Sequence, residues 1–251
     1  MAQKFGFSRT KAQALIKNEK VQVDGNIINK PSFEVNCENS INLLQTDIYV
    51  SRGAYKLVGA IQKFGLNFKD KVVLDMGAST GGFTQVSLLS GAHKVYSVDV
   101  GHDELDKGLA KDKRVINMEG RDIRTLEKNE IIDVNLVVGD LSFISLKHIL
   151  PKINQLLGPV ECVILFKPQF ECGKEVAKKY RGVIKDKVIH KNLLKDFIEE
   201  LKIYNFVISD LTYSPIKGRE GNIEFLLHLN GDKAKIINID EIVDEAFSQL
   251  K

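Results

Sequence analysis

Little in this chain marks it for a membrane, an oxidising compartment or a metal. No stretch of its 251 residues approaches the roughly 18–20 consecutive apolar residues that a membrane span needs. The opening MAQKFGFSRTK lacks the apolar centre of a secretory signal. Cysteine is scarce: Cys37, Cys162 and Cys172 show no C-x-x-C spacing, and an odd number without a signal fits reduced, structural thiols in a cytoplasmic protein. The histidines, His93, His102, His148, His190 and His228, are scattered without metal-ligand spacing, so no metal is expected. Low-complexity tracts and internal repeats are absent. The charge excess is small as well: 36 Lys+Arg against 33 Asp+Glu gives +3, too little to mark a nucleic-acid binder by total charge.

What charge there is clusters at the front. Lys4, Arg9, Lys11, Lys17 and Lys20 face only Glu19 within the first twenty residues. Ser8 is a suitable N-cap for a helix over RTKAQALIKNEK, with Ala12, Leu15 and Ile16 on one face. VQVDGNIINKP then reads as a hairpin turning at Asp24-Gly25, with Ile27 opening the return strand. A basic helix and a small hairpin fit an RNA-binding module or the solvated face of a capping subdomain. Residues 36–52 are mixed and read as a connection.

Helical periodicity resumes in AYKLVGAIQKFG, where Leu57, Val58, Ile61 and Phe64 form a stripe and Gly65 is a stop. From Lys71 strands and helices alternate. KVVLDMG, KVYSVDV, RVINMEG, VNLVVGD and VECVILFKP read as strands, with helices in FTQVSLLSGA, SLKHILPKINQLLG and VIHKNLLKDFIEELKIYN. FVISDLTYSP and NIEFLLHLN look like an antiparallel pair at one side, and AKIINIDEIVDEAFSQLK like a terminal strand and short helix. Such alternation predicts a doubly wound, Rossmann-like α/β sheet preceded by a small α+β unit. The expected division is 1–46, a linker at 47–52, and 53–251.

Open α/β sheets bind ligands outside the carboxyl ends of their strands. The first such end carries DMGASTGGF, with Asp75, Gly77, Ser79, Gly81, Gly82 and Phe83. Its G-x-x-x-G-G spacing is not the dinucleotide motif G-x-G-x-x-G, and no Gly-Lys-Ser/Thr follows to make a P-loop. Asp99 closes the next strand, twenty-four residues after Asp75, where a carboxylate can accept from ribose hydroxyls. Asp122, after the third strand, is placed to receive an adenine amino group. Together these favour S-adenosylmethionine over a dinucleotide. Phe83 also reads as a core residue. Lys167 stands where LFKPQF leaves the fifth strand, and position alone fits a lysine leaving for solvent as well as one doing chemistry.

These strings carry a resemblance. SRTKAQALI and VQVDGNIINKP, followed by YVSRGAYKL, VLDMGASTGGFT, VYSVDVG, GDLSFISL, LFKPQFE and GNIEFLLHL, resemble the TlyA family over nearly the whole chain. Its members join an S4-type RNA-binding domain to an FtsJ-like ribosomal RNA 2'-O-methyltransferase domain, and they often carry a hemolysin label. The resemblance implies a Lys-Asp-Lys-Glu tetrad at Lys56, Asp140, Lys167 and Glu224, with Lys167 as the base, S-adenosylmethionine as the methyl donor and cytidines of ribosomal RNA as targets.

A ribose hydroxyl is a very weak acid, so a lysine taking its proton must be neutral, or it must stay charged and stabilise the developing oxyanion. The sequence leaves both roles open. The cation in KPQF stands where resembling amine methyltransferases carry Asp or Asn, which favours a hydroxyl nucleophile. Arg9, Lys11, Lys20 and Arg52 are the expected RNA contacts. Against the family pattern the stretch before Ser8 reads as a shortened first helix, from a start-site choice or a reduced S4 module, and the C-terminal tail leans toward the longer family type acting on both ribosomal subunits. A noncatalytic assembly factor and a membrane-active hemolysin are the competing readings.

Overall fold

The structure, a computed structural model, describes residues 9–17, 19–36, 38–44, 49–231 and 235–250; Ser8 and Cys37 lie outside them. The chain divides into two compact units, Met1–Ile48 and Tyr49–Lys251. Residues 49–52, expected in a linker, belong to the second unit, where the Val50 N–H donates to Gln85 Oε1 at 2.7 Å.

In the first unit α1 (Arg9–Lys17) precedes β1 (Val21–Val23), β2 (Asn26–Ile28) and β3 (Ile41–Leu43). The strands form an antiparallel sheet in the order β2-β1-β3. Asp24 and Gly25 both take positive φ, 48° and 81°, the backbone of a two-residue hairpin turn whose twist matches the strands. The Asp24 carboxylate also accepts from Ser40 N–H at 2.7 Å and Asn39 Nδ2 at 2.6 Å. That side chain recruits β3, which the sequence reading took for connection. Val21, Val23, Ile28 and Ile41 form the core, covered by Leu15 and Ile16.

The second unit is built on a seven-stranded sheet in the order β6-β5-β4-β7-β8-β10-β9. Its strands are β4 (Val72–Met76), β5 (Lys94–Asp99), β6 (Val115–Glu119), β7 (Leu136–Gly139), β8 (Glu161–Phe166), β9 (Ile208–Tyr213) and β10 (Phe225–Leu229). β6 to β8 run parallel, and β10 is antiparallel to both β8 and β9. Alternate residues feed two cores. Cys162, Ile164 and Phe166 of β8 join Phe225 and Leu227 of β10 on one face, and Val163, Leu165 and Leu226 point to the other. Burial on both faces is why β8 reads as a continuous apolar run rather than an alternating one.

The order reverses between β4 and β7, where a doubly wound sheet opens its binding crevice. α2 (Gly53–Phe64) packs on one face, and Gly65, at φ 67°, ends it as expected. Its most buried residues are Ala54, Leu57 and Ala60, not the whole apolar stripe. Small residues bring this helix close: a Cβ on Gly59 would lie 2.9 Å from Pro215. α3 (Gly82–Leu89) follows the glycine loop, and α4 (Lys107–Ala110) closes over it. α5 (Leu150–Leu157), α6 (Pro168–Glu171), α7 (Gly173–Lys179) and α8 (Lys187–Leu201) flank β8 in sequence. α9 (Ile239–Gln249) packs on α8. Residues 235–238, read as part of a terminal strand, form none; Lys235 ties them to β9, its N–H donating to Ser209 O at 2.9 Å and its ammonium pairing with the Asp210 carboxylate.

Candidate active site

Four chain segments deliver four charged side chains to one point. Asp140 follows β7 and Lys167 follows β8, so both stand at carboxyl ends of parallel strands. Glu224 precedes β10, and because β10 runs backwards with Phe225 opposite Phe166, its leading residue lands beside Lys167. Lys56 comes down from the first turns of α2. Pro168 stops β8 and starts α6; a residue before proline is held extended, and Lys167 has φ −115° and ψ 101°.

The contacts are specific. Lys167 Nζ lies 2.7 Å from Asp140 Oδ1 and donates to Ser142 Oγ at 2.8 Å. Lys56 Nζ lies 3.0 Å from Asp140 Oδ2 and 2.8 Å from Glu224 Oε2. Gln169 Nε2 reaches Glu224 Oε1 at 3.5 Å. Lys56, Lys167 and Glu224 are 8 %, 6 % and 2 % exposed, so unpaired charges here would be costly. Burial works to lower the Lys56 pKa, but the Asp140 and Glu224 charges outweigh it and hold the amine above its ordinary value. Burial likewise works to raise Asp140, and the two lysines outweigh it and hold the carboxyl below the ordinary range.

A cavity of about 960 Å³ opens on this cluster. Its wall includes Gly77, Ser79, Gly82 and Phe83 from the glycine loop, Arg52 from the start of α2, and Phe143 beyond Asp140. The loop is a cradle with no room to spare. A Cβ on Gly77, at φ 79°, would press within 3.3 Å of Asp140 O, and one on Gly82 would lie 2.3 Å from Ser51 Oγ and 2.9 Å from Ala54 N. Asp99 borders the loop and anchors it, accepting Ser79 N–H on Oδ2 and Gly101 N–H on Oδ1, both at 2.8 Å. Each oxygen retains a second lone pair for a hydroxyl donor. A backbone cradle, a carboxylate with free lone pairs and a cavity within the usual range for small ligands fit a nucleoside cofactor.

Other expected contacts are engaged elsewhere. Asp75 is fully buried beneath the loop, where its Oδ2 accepts from Thr84 Oγ1 at 2.6 Å. Gly81 is held by packing: at φ 94°, its Cβ would lie 2.4 Å from Leu109 Cδ1. Asp122 caps the turn Ile123–Thr125 and pairs with Arg124 at 2.5 Å. None of the three lines the cavity, and Asp99 itself stands behind the loop it anchors, its partner Ser79 forming the wall. Phe83 both lines the cavity and belongs to a core cluster. In the first unit Arg9 and Lys11 lie on α1, their side chains outside the described residues, and Lys20 is partly exposed just ahead of β1.

Two residues inside the recognised strings were missed. Glu171 accepts from Ser145 Oγ at 2.5 Å and Leu146 N–H at 2.9 Å, tying the Asp140 loop to α6. Phe143 is 91 % exposed at φ 64° and touches Phe170 with ring centroids 5.2 Å apart. An exposed aromatic in a left-handed conformation is strained, and such strain clusters at functional sites. Positive φ in a non-glycine residue leaves no signal in the sequence.

The reversing parallel sheet, glycine cradle and strand-end cluster define a methyltransferase fold, and residues 49–231 match the FtsJ-like methyltransferase family while residues 1–40 match the S4 domain. The chain is 34% identical over 249 residues to the 16S/23S rRNA (cytidine-2'-O)-methyltransferase TlyA of Mycobacterium tuberculosis, covering 96% of this chain and 92% of that one. It is 34% identical over 247 residues to the 23S rRNA (cytidine-2'-O)-methyltransferase TlyA of Campylobacter jejuni, covering 91% and 96%. A solved structure from Streptococcus thermophilus that bears a hemolysin name superposes with a TM-score of 0.79 at 35% identity, covering 96% of this chain and 91% of that one. The chain belongs to the TlyA family of FtsJ-like methyltransferases with an S4 domain.

Proposed function

We propose that this protein is an S-adenosylmethionine-dependent methyltransferase that modifies the 2'-hydroxyl of a ribose, in a cytidine of ribosomal RNA within ribosomal subunits, and that it works in the cytoplasm. The observation that carries the reading is the Lys56–Asp140–Lys167–Glu224 cluster opening on a glycine-lined cavity at the sheet's switch point. The two TlyA relatives, named for cytidine 2'-O-methylation of rRNA, support the substrate.

S-adenosylmethionine supplies a methyl group on a positively charged sulfur; the protein's task is to present an oxygen to it and remove that oxygen's proton. Gly77, Ser79 and Gly82 hold the cofactor by backbone contact, and Asp99 takes its ribose hydroxyls. Lys167, fixed by Ser142 and Asp140, receives the 2'-hydroxyl proton, and Asp140 stabilises the ammonium that forms. Lys56 stays charged because two carboxylates face it, so it balances Asp140 and Glu224 while Lys167 exchanges its proton. Phe143 offers an open aromatic face beside Lys167, suited to stacking the base of the target nucleotide. The first unit, with Arg9, Lys11 and Lys20, holds RNA by its phosphates, and Arg52 guides the strand at the cavity.

The test is transfer of labelled methyl from S-adenosylmethionine to isolated 30S, 50S and 70S particles lacking the modification, with wild type and Lys167→Ala. Ribose labelling that disappears in the variant while cofactor binding persists supports the reading. Labelling retained by the variant removes Lys167 from the chemistry. A wild type that labels no particle leaves the noncatalytic assembly factor. No described helix is long and apolar enough to cross a membrane, and a liposome-leakage assay addresses the hemolysin name directly.

A further inference from the structure

A turn joins β9 to β10. It runs through Lys217, Gly218 and Arg219 and lies directly on the tetrad: a Cβ on Gly218 would sit 2.5 Å from Glu224 Oε1. Only glycine allows so close an approach, and it fixes where the flanking side chains begin. Lys217 and Arg219 both line the cavity, and neither forms an ion pair among the described residues.

The turn is braced on every side. Ser214 N–H donates to Glu224 O at 2.8 Å, Gly218 N–H to Asn222 O at 2.9 Å and Gly221 N–H to Gly218 O at 3.0 Å. Buried Asn222 ties it to the neighbouring segment, donating from Nδ2 to Gly182 O at 2.8 Å and accepting Ile184 N–H on Oδ1 at 3.0 Å. Arg52 Nη2 donates to Lys217 O at 3.4 Å, which brings a third cation to the same mouth. The opposing charge on the turn is Glu220, also at the cavity. Lys217, Arg219 and Arg52 outnumber Glu220, so the mouth carries an excess of positive charge.

We infer that the Lys217–Arg219 turn is a phosphate clamp for the RNA strand, holding the backbone beside the target ribose so that its 2'-hydroxyl meets Lys167. This rests on the methyltransferase reading above. The nearest anions to a ribose hydroxyl are the phosphates of its own strand, and an ammonium with a guanidinium on a rigid turn are suited to grip one. Lys217 and Arg219 are positioning residues: they act on the ribose through the phosphate, not on the reacting atoms. A phosphate contact carries no sequence information, so the clamp sets geometry and affinity rather than choice of base.

The experiment compares wild type, K217A/R219A and the conservative K217R/R219K. Binding of a short single-stranded RNA is followed against salt, with KM and kcat on particles lacking the modification, cofactor affinity, and binding to phosphatidylglycerol vesicles. Arg219 is exposed and Lys217 partly exposed, and an unchanged melting temperature certifies the fold. The expected result for K217A/R219A is a salt slope shallower by about 0.7, the value for one phosphate on a single strand. KM should rise about tenfold, with cofactor affinity unchanged and both effects restored in K217R/R219K.

An unchanged slope with reduced kcat would overturn the clamp in favour of a structural turn. Loss of cofactor affinity would overturn it in favour of a cofactor contact. A slope change seen on vesicles and not on RNA would overturn it in favour of an anionic membrane. A wild type that methylates no particle, with the RNA slope still changed by the double substitution, would uphold the clamp and overturn the methyltransferase reading.

Discussion

Lys56 and Lys167 grip opposite oxygens of one carboxylate: Asp140 Oδ2 lies 3.0 Å from the first and Oδ1 2.7 Å from the second. Asp140 is therefore the keystone of the site. Asp140→Ala leaves two buried amines facing each other, and removing one member of a buried pair costs about 3–5 kcal/mol. Methyl transfer should fall by about 10²–10⁴-fold, the usual worth of positioned acid–base chemistry. Denaturant midpoints and single-turnover rates read the two effects. The pH signs follow from the pair. Asp140 is held below its ordinary 3.8, so its stabilising contribution is complete above that value and lost as pH falls through the folded pKa. Lys56 is held above 10.5, so its contribution is complete below that value and lost as pH rises beyond it.

Asp75 predicts the opposite slope near neutrality. Burial, opposed by the Thr84 hydrogen bond, pushes its pKa from 3.8 up to about 7, and its Oδ1 has no hydrogen-bond partner among the described residues. Between these values the unfolded chain has released the proton while the folded chain keeps it. Stability from this group therefore declines as pH rises from about 4 to 7, by a sum on the order of 4 kcal/mol. Asp75→Asn keeps an acceptor for Thr84 and removes the titration. Denaturant midpoints at pH 4.5 and 7.5, taken as about the two ends of that window, should converge in the variant. An unchanged difference would show that other groups cause the slope.

Gly82→Ala tests the cradle. The added methyl would meet Ala54 N at 2.9 Å, and this backbone belongs to α2, which carries Lys56. The helix start or the loop must give way, so cofactor affinity should weaken about tenfold or more, with a stability loss of about 1–3 kcal/mol from overpacking. Calorimetric titration with S-adenosylmethionine checks it.

Phe143→Gly separates stability from function. Glycine adopts φ 64° freely, and the exposed ring makes little burial to lose, so stability should hold or rise by up to about 1 kcal/mol. Activity on RNA should fall by about tenfold, the lower range for loss of one base–aromatic stack, with cofactor affinity unchanged. A loss of stability matching the loss of activity would make the ring a packing element.

Much of this protein is set by its sequence alone. Alternating strand and helix periodicity determines the doubly wound unit, since its central strands β4, β7 and β8 bury both faces; Asp24-Gly25 determines the hairpin; Gly65 and Pro168 determine where α2 ends and β8 stops. The resemblance then brings Lys56, Asp140, Lys167 and Glu224 together by name, a set spread over most of the chain. The tertiary structure decided their pairing. Only the antiparallel return of β10 sets Glu224 beside Lys167, and only the close packing of Ala54, Gly59 and Ala60 lowers Lys56 onto two carboxylates. It also decided what Asp75 and Asp122 do, because a strand-end aspartate reads the same whether it faces a cavity, a buried threonine or its own turn. Recruitment of β3 by Asp24, the strain at Phe143 and the turn over Glu224 were beyond sequence reading for one reason: each depends on contacts between residues far apart in the chain, or on a backbone angle that residue type does not reveal.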